Sequence, residues 1–292
     1  MLEKRGLTAL EVHPFTPIEV VDRLRKSGIK IRIGQLPWYE NRIVKTEKEI
    51  SHITEVQNHM EDVLDLVQKR LRRASIKNGF IMEKGKTLTS EGLRSFIELE
   101  LFRRGCASYD TIVSSGAQSA IPHHVGVGPL RANTSIIFDI YPYSRKTGYF
   151  SDMTRTFCKG DPPTLFVKMY EAVLAGQEKG IGMIRAGVDG KDIHVAIEEL
   201  FAKAGFKTDL VKGRGFIHGT GHGLGLLCHE PPARINEGSY ILKNGLVTSV
   251  EPGLYDPGNK LGVRTEDLVQ VTKTGCWNLT KYPKQLKDII IP

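Results

Sequence analysis

Four carboxylates stand in segments whose other residues belong in a core. Asp139 lies in Ile136-Ile137-Phe138-Asp139-Ile140, where an ionised carboxylate without a partner is costly to bury. Asp152 follows in Tyr149-Phe150-Ser151-Asp152-Met153-Thr154-Arg155-Thr156-Phe157, and Glu251 and Glu266 repeat the arrangement later in the chain. Carboxylates converging on one place repel each other and cannot all stay ionised. Two divalent cations would balance them, four positive charges against four negative. His222 offers a neutral nitrogen to such a centre, in the run from His218-Gly219-Thr220-Gly221-His222 to His229-Glu230, whose glycines let backbone approach a metal closely. An oxygen-rich donor set with one imidazole suits manganese, cobalt, zinc or iron better than copper, and excludes a structural thiolate zinc site. Two divalent metal ions are thus the expected cofactors, manganese or cobalt ahead of zinc or iron. Such a pair can hold a hydroxide as nucleophile and polarise the bond it attacks, so the expected chemistry is hydrolysis. Taken singly, each carboxylate could cap a turn or pair with an arginine; taken together, that explanation fails. His229 is read as functional and His218 as a candidate beside it, although either could be a satisfied core histidine. The glycine-rich run contains no GKS or GKT and is not a phosphate loop.

These residues need elements to position them. Between Lys45 and about Ile76, apolar residues at Ile50, Ile53, Val56, Met60, Val63, Leu64, Val67 and Leu71 recur three or four apart, which predicts a long amphipathic helix. Thr46 followed by Glu49 predicts a capping box at its start. Further helices are expected from Thr89 or Ser90 to Gly105, from Pro163 to Ile184 and from Lys191 to Ala204. Strand character marks Thr111 to Val113, Ser135 to Tyr143, Tyr149 to Cys158, Leu246 to Tyr255 and Gly262 to Thr272. Turn residues at 144–148 and 256–259 make the second and third of these one hairpin and the last two another. Each hairpin carries two of the acidic residues, so the second half of the domain is expected to repeat the first. Pro14, Pro17, Gly28, Gly34 and Pro37 break residues 1–44 into short segments, a separate small piece ahead of one α+β domain over 45–292.

Composition limits the alternatives. A 40% apolar content over 292 residues predicts a globule, and the longest apolar stretches are too short to span a membrane. With no apolar leader at the N-terminus, the expected location is the cytoplasm. Cys106, Cys158, Cys228 and Cys276 stand singly, as free thiols in a reducing compartment would. The net charge of +8 raises the question of nucleic acid, most of all at Lys69 to Lys86. Glu61, Asp62 and Asp65 precede that stretch on the same predicted helix, and Phe80 is the one aromatic residue among its charges, so a solvated helix face is expected instead.

Four motifs in order resemble the pita-bread metallopeptidases, a family that includes prolidase, aminopeptidase P and methionine aminopeptidase. They are Ser151 to Phe157, the glycine-histidine segment at 218–232, Val250-Glu251-Pro252-Gly253-Leu254-Tyr255, and Gly262-Val263-Arg264-Thr265-Glu266-Asp267, and the resemblance runs from about Lys45 to Thr272. It implies the pita-bread fold with its pseudo-twofold repeat. It also implies that Asp139 holds one metal, that Asp152 and Glu266 bridge both, and that His222 and Glu251 complete the second site. Glu251 would then accept the proton of the attacking water. His123 falls where the family places a substrate-contacting histidine, with His124 as its alternative. His229 matches the histidine that steadies the reacting carbonyl, and Tyr255 and Arg264 match partners that orient Asp139. The fifteen-residue step from Glu251 to Glu266 and the run His-Glu-Pro-Pro at 229–232 look like the proline-specific branch rather than methionine aminopeptidase. The implied substrates are short proline-containing peptides, cleaved as dipeptides or at the N-terminus, and a homodimer is among the implied arrangements. Two departures stand out. The thirteen-residue step from Asp139 to Asp152 is about two longer than the family's, which a longer turn near Arg145 to Thr147 absorbs. Proline-specific members carry a much larger N-terminal domain than the 44 residues here, so residues 1–44 read as a short remnant. The alternatives are a metal-free relative acting on small amidino compounds and a non-catalytic scaffold of the same fold, both of which resemble the chain less because they lack the complete set of ligands.

Overall fold

The capping box expected at Thr46 forms in the computed structural model: the Glu49 amide donates to Thr46 Oγ1 at 3.3 Å, and the Thr46 amide donates to Glu49 Oε2 at 2.7 Å. A cap of this kind contributes about 1 kcal/mol. It starts a helix at Glu47–Arg73 whose apolar stripe, Val56, Met60, Val63, Leu64, Val67 and Leu71, is wholly buried. The structure describes residues 6–35 and 39–292, apart from the side chains of 231–233. Pro37 and the side chains of Pro231 and Pro232 therefore lie outside it. The chain divides into two compact units, Met1–Arg42 and Ile43–Pro292. In the first, parallel strands Ala9–Val12 and Lys30–Ile33 flank the helix Ile18–Lys26.

The second unit is built from two similar halves, each a helix pair and a mainly antiparallel sheet. The first pair is Glu47–Arg73 with Ser90–Arg103, the latter capped by Thr89; the second is Thr164–Met183 with Gly190–Lys203, the latter capped by Asp189. All four helices lie within two residues of the expected bounds at their starts and ends, save the first, which stops at Arg73. Ser75–Lys77 instead begins a small three-stranded sheet. The first large sheet runs Ile290–Ile291, Met153–Lys159, Ser135–Ile140, Ile112–Ser115, and the second runs Glu230–Ile235, Gly221–Gly223, Val247–Val250, Asp267–Val271, Cys276–Asn278. One apolar core joins the long helix to Ile136, Phe138, Ile140, Met153 and Phe157 of the first sheet and to Val250, Val269 and Val271 of the second. Among the described residues no helix is long and apolar enough to cross a membrane.

The long strands expected from the sequence are broken at the ligand candidates. In the first hairpin Asp139 pairs with Thr154, but the strand starts at Met153 and leaves Asp152 just outside it. The turn at Arg145–Thr147 lies where the longer connection was expected. In the second, Val247–Val250 pairs with Asp267–Val271, whereas Gly253–Asp256 and Leu261–Arg264 form a separate ribbon. Pairing lapses at Glu251-Pro252 and at Thr265-Glu266. Pro252 has no N–H to give a ladder, and each lapse lets a carboxylate turn inward rather than alternate across a sheet.

Candidate metal centre

Gln177, on the helix Thr164–Met183, holds both lapses open: its amide group donates to Val250 O at 3.0 Å and to Thr265 O at 3.1 Å, while its own oxygen accepts from Lys284 Nζ at 2.7 Å. The buried Arg155 guanidinium donates to Glu266 O at 2.6 Å and to Asp267 Oδ1 at 2.8 Å. Backbone carbonyls that left the sheet are thus satisfied by side chains, as buried polar groups require. The Glu251 amide donates to Thr220 O at 2.7 Å, which brings the glycine-rich strand against Glu251. That approach admits only glycine at 221, since a Cβ there would fall 2.0 Å from Ser249 O.

The result is a cluster of donors in a cavity of about 660 Å³ lined by Asp139, Asp152, His222, Glu251 and Glu266, all five expected ligands. His222 Nε2 lies 3.3 Å from Glu251 Oε1 and 3.7 Å from Asp152 Oδ2. Donors bound to one cation at about 2.1 Å with a tetrahedral angle lie about 3.4 Å apart, so these separations suit a shared ion. The His222 Nδ1–H donates to Gly223 O at 3.3 Å, which leaves Nε2 with the lone pair. Burial above all lowers the His222 pKa to about 4, so the ring is neutral at physiological pH. Thr154 Oγ1 donates to Glu266 Oε2 at 2.9 Å, and Ser249 Oγ to Glu251 Oε1 at 3.2 Å. The other oxygens of two carboxylates, Asp152 Oδ1 and Glu266 Oε1, are buried and accept no hydrogen bond from any described residue.

Those orphaned oxygens test whether a metal fits. A buried carboxylate oxygen without a donor costs free energy that neighbouring negative charges increase. Burial, joined by Asp139 and Glu251, pushes Asp152 well above the carboxylate range, and burial with Asp152 does the same to Glu266. Burial raises Glu251 to about 7 against the pull of Arg264. Divalent cations would meet both orphaned oxygens and compensate the charge, so the residues present fit the expected group.

Asp139 is held differently. Arg264 Nη2 donates to its Oδ2 at 2.5 Å, Arg264 Nη1 to Tyr255 Oη at 2.5 Å, and Tyr255 Oη to His218 Nε2 at 2.9 Å. His218 Nδ1–H donates in turn to Gly219 O at 2.8 Å. The chain needs a neutral His218, and burial holds its pKa down to about 3. Arg264 Nη1 also donates to Pro122 O at 3.2 Å, the carbonyl before His123. His123 lines the cavity, whereas His124 Nδ1 accepts the Gly126 amide at 3.0 Å. His229 lines the cavity too, its ring centroid 4.0 Å from that of His222.

Sequence reasoning missed several residues here. Gln177 and Ser249 carried no motif, and Cys228 was counted only as a free thiol. Lys45 was read as a helix boundary, yet its Nζ lies 2.9 Å from Glu230 Oε2 with both side chains buried. Glu230 Oε1 also accepts the Leu226 amide at 2.8 Å and the Leu227 amide at 3.3 Å, which shapes the loop leading to His229. Lys45→Met removes a cation from beside a buried carboxylate, and is expected to cost about 3 kcal/mol of stability in denaturant unfolding. A loss under 1 kcal/mol would show that the pair is not what holds the loop.

The profile of metallopeptidase family M24 matches residues 51–273. Among curated relatives, the chain is 36% identical over 194 residues to the uncharacterized peptidase YqhT of Bacillus subtilis, covering 65% of the chain and 52% of that protein. It is 29% identical over 290 residues to an Xaa-Pro dipeptidase of Pyrococcus horikoshii, covering 96% and 75%. Among solved structures, an Xaa-Pro dipeptidase from Bacillus anthracis superposes with a TM-score of 0.85 at 28% identity, over 99% of the chain and 76% of that structure. The chain thus spans about half the length of the first of these relatives and about three quarters of the other two. The fold is the α+β pita-bread fold expected from the sequence.

Proposed function

The chain belongs to metallopeptidase family M24, and from that footing we propose that it hydrolyses Xaa-Pro bonds, in dipeptides or at the N-terminus of short peptides. The observation that carries the proposal is the pair of orphaned buried oxygens, Asp152 Oδ1 and Glu266 Oε1, inside a cavity of ligand size. Relatives named as Xaa-Pro dipeptidases support the choice of bond. Residues 43–292 form the catalytic unit. Asp139, Asp152, His222, Glu251 and Glu266 hold two divalent cations, drawn from manganese, cobalt, zinc and iron. When bound, the cations polarise the scissile carbonyl and acidify the attacking water.

Each remaining role falls to a side chain. Glu251 takes the proton of the attacking water and delivers it to the departing nitrogen. Breaking the C–N bond leaves the proline nitrogen as a secondary amine that must gain one proton, and the proton that Glu251 took from the water balances the step. His229 donates to the carbonyl oxygen as negative charge develops on it. His123 contacts the substrate, with the backbone before it fixed by the bond from Arg264 to Pro122 O. The four thiols, none of them in a disulfide, suit a reducing cytoplasm.

The test uses purified protein stripped of metal and then given manganese, cobalt or zinc. An Xaa-Pro dipeptide, an Xaa-Pro-Xaa tripeptide and a Met-Ala-Xaa tripeptide are offered in parallel. Metal-dependent cleavage of either proline substrate is the expected result, and the preferred one sets the substrate length. Cleavage confined to Met-Ala-Xaa would move the specificity to the methionine branch, and no cleavage with any metal would remove the proposal.

A further inference from the structure

One donor atom in the cluster is neither oxygen nor nitrogen. Cys228 Sγ lines the same cavity and lies 3.3 Å from Asp152 Oδ2. Together with ring nitrogens of His222 and His229 it forms a second group of donor atoms within 4.8 Å of one another, sharing His222 with the group Asp152, His222 and Glu266. The other thiols are placed differently: Cys106 and Cys158 are buried in the apolar core, and Cys276 donates to Ile181 O.

The sulfur meets the distances that a ligand would. A sulfur at about 2.3 Å and an oxygen at about 2.1 Å from one cation lie about 3.3–3.6 Å apart for angles between roughly 97° and 110°. The 3.3 Å from Cys228 Sγ to Asp152 Oδ2 falls in that range. An S–H group is a weak donor, and here it engages one oxygen of a buried carboxylate whose other oxygen has no donor among the described residues. The thiol alone therefore does not satisfy Asp152.

We infer that Cys228 is a sulfur donor to the metal centre, which makes the site a mixed oxygen, nitrogen and sulfur one that takes zinc, cobalt or iron in preference to manganese. This rests on the two-cation reading above. As the sulfur–metal bond forms, the S–H bond breaks and its proton passes to solvent, with no change of oxidation state. Asp152 Oδ2 is released from the thiol at the same moment, so that both its oxygens are free to face cations. A soft donor shifts selectivity away from manganese, which prefers oxygen ligands.

The experiment titrates the metal-stripped full chain with cobalt(II) chloride under a non-thiol reductant, beside Cys228→Val and Cys228→Ser. Visible ligand-field bands report cobalt bound in any geometry, and a near-ultraviolet sulfur-to-cobalt charge-transfer band reports the thiolate. Wild type is expected to show both, and the variants the visible bands alone. In competition, the preference for zinc over manganese should fall at least about tenfold in Cys228→Ser. Near-ultraviolet circular dichroism checks folding, and Ser stands in if Val disturbs the packing. A wild type that binds cobalt with no charge-transfer band, or whose band survives in both variants, overturns the sulfur ligand and leaves the two-cation reading intact. A wild type that binds no cobalt, zinc or manganese overturns both.

Discussion

Asp152→Asn should reduce metal-dependent hydrolysis by about 1,000-fold or more and, in the same protein, raise the stability of the metal-stripped form. The two effects share one cause. Asp152 lies beside His222 and Glu266, with one oxygen lacking any described donor, so its charge is an asset only when a cation faces it. Removing a carboxylate that would face both ions removes several kcal/mol of Lewis-acid stabilisation, and each 1.36 kcal/mol is a factor of ten in rate. Without metal, the same substitution removes a carboxyl that must either hold a proton or repel Asp139 and Glu251, the charges that help to push Asp152 upward. An asparagine of equal size keeps an oxygen for Cys228 and gains an N–H₂ for its acidic neighbours. A gain of about 1–3 kcal/mol is expected, by analogy with replacing buried charges. Rates with added metal and unfolding in a chelator measure the two halves separately. An asparagine variant that keeps wild-type activity would remove Asp152 from the metal site, and one that is less stable in chelator would show that repulsion is not what strains the empty cluster.

How far the sequence led depends on the range of the interaction. The Thr46 cap and the helix it starts involve residues three and four apart, so both could be read locally. The ligands were legible for a different reason: Asp139, Asp152, Glu251 and Glu266 are the wrong residues for such apolar surroundings, and that misfit is visible without a fold. The lapses at Glu251 and Thr265 were not legible, because an alternating pattern through 246–255 describes one strand equally well. What interrupts the pattern is Gln177, whose sequence separation from Val250 is 73, and which no spacing rule connects to it. Lys45 and Glu230 are 185 apart and equally silent. The strand Gly221–Gly223 was not legible either, because its glycines carry no strand propensity. Its glycine at 221 is demanded instead by the Ser249 carbonyl against it.

Metal-stripped protein should lose stability as pH rises above 7, the reverse of what added metal will do. Two sets of groups act in opposite directions. Burial lowers His218 to about 3 and His222 to about 4, so their neutral forms favour the fold above the unfolded value of 6.5, and this contribution is lost as pH falls below it. Asp267 is pushed up by burial but held below 3.8 overall by Arg155 and Lys284, so its contribution is lost only in strong acid. Neither changes above pH 7. Asp152 and Glu266 are raised, so the folded protein retains protons that the unfolded chain gave up near pH 4. Their contribution is fully present below the unfolded pKa and drains away as pH climbs toward the folded one. Each proton retained costs about 1.4 kcal/mol per pH unit for as long as the folded protein holds it. Unfolding in urea with a chelator at several pH values measures that slope, and Glu266→Gln should flatten it. With saturating zinc the slope should change sign or vanish, because the ligands must then be deprotonated and each proton removed favours binding. A chelated protein whose stability stays level across this range would mean that no proton is held between Asp152 and Glu266, and that something other than a metal already compensates them.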